Sequence, residues 1–236
     1  MITLDVIGDS YSDENHYCIK DSTTERIDLN KPYLELLRDN YNFQINNYSW
    51  NGIGATQSIE RLMHIKYRNN FLLFLLPQIN RIKFKHFQDE NVCNNYVKYK
   101  QKKLSKDIQL NYESVYSSNV LNNYETLCVS YVCSYSKLYE KILIWPISKY
   151  NFTGINKLPK NCHLIKKHLE EISSEEFIDA TEGSSSDFRN NHLSKENHVI
   201  LSKQLRDYFV DDIVPNEKSY VKNCYDFKSY KNFIYE

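Results

Sequence analysis

The chain reads as one three-layer α/β/α domain built on a parallel sheet of about five strands. Three observations predict this. Apolar stretches of strand length alternate with stretches of helical periodicity about five times, the mark of strands joined by crossover helices. Phe71 to Leu76 is continuously apolar rather than alternating, which suits a parallel strand covered on both faces. The length, 236 residues, is enough to bury a substantial core in a single such domain.

Each element follows from local pattern. The first strand is Thr3 to Gly8. Pro32 to Asn40 predicts a helix, with Pro32 near its start and Leu34, Leu36 and Leu37 facing inward. Asn42 to Tyr48 alternates as a second strand. Ala55 to Tyr67 carries Ile59, Leu62, Met63 and Lys66 at helical spacing. Phe71 to Leu76 is the third strand, ended by Pro77. The stretch 82–117 is polar and rich in Lys and Tyr, and reads as an insertion over the sheet edge or a cap near the strand ends. Asn119 to Tyr139 predicts a long helix whose apolar face holds Leu121, Tyr124, Leu127, Cys128, Tyr131, Val132, Tyr135 and Leu138. Lys141 to Ile147 is the fourth strand. A helical piece at Lys166 to Ile172 leads to a short fifth strand, Glu176 to Asp179, and Gly183 to Ser186 is a flexible joint. Ser194 N-caps a closing helix to Phe209, with Val199, Ile200, Leu205 and Phe209 buried. Residues 1–212 thus form the domain, of flavodoxin-like layout, and 213–236 a polar tail without a core signal.

Composition excludes several classes. Lys plus Arg equal Asp plus Glu at 30 each, so no overall field draws nucleic acid or an anionic membrane. No apolar run approaches the ~20 residues of a membrane-spanning helix. Met1 to Val6 has neither a basic segment nor a long apolar one, which predicts no signal peptide and a cytoplasmic protein. The six cysteines contain no Cys-x-x-Cys pair and the seven histidines no zinc spacing. Reduced thiols and no metal are expected, with Cys128 and Cys133 in the core. Gly52-Ile53-Gly54 lacks the third glycine of a dinucleotide fingerprint and the acidic residue that follows it, so no cofactor is expected. Lys100, Lys102 and Lys103 read as a solvated face.

The chemistry-bearing residues fall at strand ends, where open α/β sheets place their ligands. Ser10 follows the first strand, Gly52 the second and Asn80 the third. His192 stands just before the closing helix. Acyl transfer by a serine needs a base in reach of Oγ, a group that orients the base, and donors aimed at the developing oxyanion. The topology brings a serine, a histidine, an amide side chain and a glycine N–H to one rim. Taken singly, each has a plainer reading: Ser10 as a helix N-cap, His192 as a surface or capping residue. Trp50 is either core or a wall of the acyl pocket, and His198 reads as structural.

In Gly8-Asp9-Ser10-Tyr11-Ser12, in Asn47-Tyr48-Ser49-Trp50-Asn51-Gly52 and in His192-Leu193-Ser194, in that order, the chain resembles the SGNH (GDSL-type) hydrolase family. The resemblance spans about Met1 to Phe209. It implies Ser10 as nucleophile, His192 as base, and the N–H groups of Ser10 and Gly52 as oxyanion donors, with Asn80 adding its side-chain amide. Two departures stand out. Gln78-Ile79-Asn80-Arg81 lacks the glycine and aspartate of the family's third block. Arg189 occupies the place of the aspartate three residues before the histidine, which leaves Asp187, or the neutral Asn190, to orient the ring.

The resulting expectation is a serine esterase that hydrolyses a short acyl ester, such as acetyl on a carbohydrate or small alcohol, without cofactor or metal. Acyl transfer to a sugar hydroxyl uses the same site. A degenerate member that binds a glycan or partner without turnover is the reading from another class, motivated by the altered third block.

Overall fold

The computed structural model describes residues 2–9, 11–12, 32–50, 53–65, 70–77, 118–147, 152, 155, 157–169, 193 and 195–220. In chain order these form β1 (Ile2–Ile7), α1 (Tyr33–Tyr41), β2 (Phe43–Asn47), α2 (Ala55–His64), β3 (Phe71–Leu76) and α3 (Ser118–Ser134). A 3-10 turn (Tyr135–Lys137), β4 (Lys141–Pro146), β5 (Cys162–Leu164), α4 (Lys195–Asp211) and a second 3-10 turn (Glu217–Ser219) follow. The five strands pair in the order β2-β1-β3-β4-β5, and every pairing is parallel. This is the flavodoxin-like order, and it reverses direction between β1 and β3.

Strand pleat divides the core into two layers. In β3 all six residues are buried. Phe71, Leu73 and Leu75 join Leu4, Val6, Leu143 and Trp145 under α1 and α4, where Leu34, Leu37, Leu201, Leu205 and Phe209 pack. Leu72, Phe74 and Leu76 join Ile7, Ile142 and Ile144 under α2 and α3, against Leu62, Cys128, Val129 and Val132. Burying each large apolar side chain contributes roughly 1.5–3 kcal/mol before entropy is counted. Both faces of the sheet are therefore covered, which is why β3 needs no polar alternation.

One strand position breaks the apolar rule. Asp5 is fully buried on the α2/α3 side of β1. Its carboxylate accepts from the Tyr139 hydroxyl at 2.8 Å and from Asn46 Nδ2 at 3.3 Å, partners that a buried acidic group requires.

Several sequence expectations are corrected. Asn42 is not the first residue of β2: at φ 58° it is the left-handed cap of α1, its N–H bonded to the Arg38 and Leu37 carbonyls. Leu36 is only half-buried, and Tyr33 takes an inward place instead. Helix α2 stops at His64, leaving Met63 exposed. The buried stripe of α3 is Glu125, Cys128, Val129, Val132 and Cys133, so Leu127 points to solvent and so does Leu138 beyond the helix. The fifth strand is Cys162–Leu164, paired with Ile142–Ile144 of β4. Glu176 to Asp179, the insertion 82–117, Ser194 and residues 221–236 lie outside the described residues.

The closing helix runs to Asp211, with Val199 exposed and Ile200 half-buried. Lys141 reaches across from β4 to its end, donating to the Tyr208 and Phe209 carbonyls at 3.2 and 3.0 Å and pairing with Asp212 at 2.6 Å. A lysine there satisfies carbonyls that the helix leaves unpaired. Beyond it, Tyr220 is buried with its ring edge-on to Trp145 at 5.9 Å. The segment after Pro215 therefore does carry a core residue, contrary to the polar-tail expectation.

The three described cysteines, Cys128, Cys133 and Cys162, are free and buried. Burial raises the Cys128 thiol to about 12, so it stays protonated. Among the described residues no helix is long and apolar enough to cross a membrane.

Candidate active site

The end of β1 sits at the point where the sheet order reverses, and open α/β sheets bind their ligands outside strand ends at such a point. Two segments meet there. After β1 the chain makes a tight turn closed by the Ser12 N–H on the Asp9 carbonyl at 3.0 Å. Asp9 is buried, and its side chain accepts the Tyr11 N–H at 3.1 Å, which stiffens the turn from within. After β2 the chain runs alongside. The Trp50 N–H donates to the Gly8 carbonyl at 3.2 Å, which carries the β1–β2 contact past the strands themselves.

Side chains reinforce this seam. The Asn47 amide donates to the Ser12 carbonyl at 2.7 Å and accepts the Ser49 N–H at 3.0 Å. The Ser12 hydroxyl meets Ser49 Oγ at 2.7 Å. The sequence motifs contain Asp9, Ser12, Asn47 and Ser49, yet residue type alone gave them no role. Their signal was position: short polar residues on both sides of the two strand exits, suited to hold neighbouring loops together.

Gly8 is required by close approach. A Cβ there would collide with the Ser12 hydroxyl and stand 2.9 Å from Leu75 Cβ of β3. Replacing Gly8 with alanine is expected to cost about 1–3 kcal/mol and to reduce any activity of the site, because the turn must move off β3. Thermal melts and ester turnover on the same variant check both effects.

A third segment arrives from the other end of the chain. Leu193 is buried in the same core layer as Tyr11 and Tyr33, just ahead of α4. In the first turn of α4, Asn197 and His198 are fully buried. His198 Nδ1 accepts the N–H of Tyr33 at 3.3 Å, and the two rings stack with centroids 6.1 Å apart. That N–H stands in the first turn of α1, where bonds come from outside the helix. His198 therefore has the structural role expected of it. His198→Ala should destabilise by about 2 kcal/mol through loss of this buried hydrogen bond and of the stacked ring, a melting decrease of roughly 4–8 °C.

Ser10, Gly52, Asn80, Asp187, Asn190 and His192 lie outside the described residues, so the structure describes the frame around the candidate catalytic residues. Within that frame the chain neighbours of Ser10 and Gly52 are joined by the Trp50–Gly8 hydrogen bond, and Leu193, next to His192, is buried in the same core layer as Tyr11. Trp50 is 58% exposed, so it is not a core residue. The Arg61 guanidinium lies over its ring, 5.0 Å from the centroid, and donates to the Tyr48 carbonyl at 3.0 Å. Among the described residues no cluster of His, Cys, Asp and Glu is arranged to hold a metal ion.

No family model matches the chain. No curated protein sequence matches it either. Among solved structures, a variant of Axe2, an acetyl xylan esterase from Geobacillus stearothermophilus, is similar with a TM-score of 0.47 and 14% identity, covering 91% of this chain and 97% of its own. A catalytic mutant of the same Geobacillus stearothermophilus enzyme aligns with a TM-score of 0.45 and 16% identity, over 87% of this chain and 92% of that one.

Proposed function

We propose that this protein is a serine esterase that hydrolyses a short acyl ester, such as acetyl on a carbohydrate or small alcohol, through an acyl-enzyme on Ser10. The observation that carries the reading is the hydrogen-bonded seam between residues 8–12 and 47–50 at the carboxyl ends of β1 and β2, β1 being one of the two strands between which the sheet order reverses. A nucleophile and an oxyanion donor must share one small volume; Ser10 falls within the first of these segments and Gly52 follows the second by two residues.

In this mechanism Ser10 Oγ attacks the ester carbonyl while His192 takes its proton. The Ser10 and Gly52 N–H groups and the Asn80 side-chain amide receive the negative charge of the tetrahedral intermediate. The C–O bond to the alcohol breaks, and His192 returns the proton to that leaving group. Water then attacks the acyl-serine with His192 again as base, releasing the acid and free Ser10. Asp187 orients the imidazole. No cofactor or metal takes part.

Trapping tests this directly. A fluorophosphonate should phosphonylate one serine, carried on the peptide that contains Ser10, and p-nitrophenyl acetate turnover should stop in proportion. Turnover that persists after stoichiometric labelling of Ser10 would overturn the proposal. An unlabelled, inactive protein would favour the non-catalytic reading.

A further inference from the structure

Cys133 ends the buried stripe of α3, and Cys162 opens β5. Both belong to the core layer under α2 and α3, where their thiols hydrogen-bond to each other. The surrounding structure holds the two segments together. Asn161, next to Cys162, donates its side-chain amide to the Ser136 and Tyr139 carbonyls at 2.8 and 2.9 Å, just past the end of α3. Cys162 is also held in register with Ile142 of β4.

A buried cysteine most often serves as a small apolar side chain, and Cys128, 1% exposed, fits that description. Cys133 and Cys162 differ in meeting across two elements, and each keeps 6% exposure. Among the described residues β5 is a three-residue strand at the sheet edge, with β4 as its one neighbour. So short an edge strand opens locally at low cost, which admits a small oxidant.

We propose that Cys133 and Cys162 form a redox modification site, in which a hydroperoxide converts the two thiols to a disulfide that staples the end of α3 to β5. The hydrogen bond from Cys162 holds the Cys133 thiol below the usual cysteine range, which makes Cys133 the attacking sulfur. With hydrogen peroxide, the Cys133 thiolate takes one oxygen as sulfenic acid and hydroxide leaves. Cys162 gives up its proton, and its sulfur displaces the sulfenic oxygen as a second hydroxide. The two thiols lose two electrons and two protons, and the peroxide ends as two waters. The new bond closes the chain around β4, which limits the unfolded state and restrains the edge strand. Cys162 lies level with Ile142, near the start of β4 and away from the strand ends of the proposed esterase site, so the inference does not depend on that reading.

Mass spectrometry of the native chain tests it. After brief treatment with hydrogen peroxide and tryptic digestion without reductant, the peptide 107–137 should be joined to 161–166, two hydrogens lighter than their sum. Fragment ions between Cys128 and Cys133 should assign the bond to Cys133. Sulfinic acid on either cysteine in place of the bond, or preferential pairing with any other cysteine, would overturn the site. The consequence is read by hydrogen exchange. The Ile165 N–H, bonded to the Ile144 carbonyl at 3.0 Å, should exchange roughly tenfold more slowly in the linked protein. Its melting temperature should rise by roughly 5–10 °C, and dithiothreitol should reverse both changes. Unchanged exchange and melting in the linked protein would overturn the staple.

Discussion

Alanine at Ser10 should lower turnover of p-nitrophenyl acetate by about ten-thousandfold or more, with alanine at His192 costing a similar amount. The double variant should be scarcely worse than either alone. The reason is that nucleophile and base act as one unit: without the base the hydroxyl is a poor nucleophile, and without the hydroxyl the base has no proton to take. Asp187→Ala should cost less, since the imidazole retains its proton-transfer chemistry and loses only orientation and charge compensation. Residual activity above the water rate would come from the oxyanion donors. Equal rates for the native protein and Ser10→Ala would remove Ser10 from the mechanism, and additive losses in the double variant would mean that the two residues act in separate steps.

Trp145→Ala should be the most damaging single core change, at about 3–5 kcal/mol, or a melting decrease on the order of 10 °C. Trp145 is fully buried near the end of β4, and its indole N–H donates to the Lys167 carbonyl at 3.1 Å. Truncation opens a cavity under α1 and α4 and removes that hydrogen bond. The loss extends along the chain. Tyr220 packs edge-on against Trp145, and burial pushes its hydroxyl well above the usual tyrosine range. With the indole gone, Tyr220 should become accessible, and its titration should move down toward that of a free tyrosine. Urea denaturation and ultraviolet titration of tyrosine test the two consequences separately. A variant that melts within a few degrees of the native protein would show that the core refills the space.

These two predictions draw on different sources. Ser10 and His192 were legible as residue types at strand and helix boundaries. Trp145 was legible only as part of an apolar strand, and its partner Tyr220 was hidden in a stretch that reads as polar. Local pattern identifies a buried residue when its neighbours share its character. An isolated aromatic among lysines and asparagines is placed by the surface it meets.

The same distinction runs through the fold. Phe71 to Leu76 is apolar throughout, and no arrangement of this chain leaves six such residues in water, so its place in a covered sheet followed from sequence. The alternation of strands and helices, and with it the flavodoxin-like layout, followed in the same way. Strand β5 did not: three residues are too few for periodicity, and Cys162–Leu164 becomes a strand because the edge of β4 offers it hydrogen bonds. In α3 two stripes compete, one through Leu127 and one through Val129 and Cys133. They lie a fraction of a turn apart, and the sheet beneath selects the second. At the site, the order of Gly8-Asp9-Ser10, Gly52 and His192 along the chain is a property of the sequence. That residues 8–12 and 47–50 are sewn together through Asn47, Ser12 and Ser49, and that Trp50 stands outward under Arg61, are decisions of tertiary structure. Hydrogen bonds between segments distant in sequence leave no periodic trace for local pattern to carry.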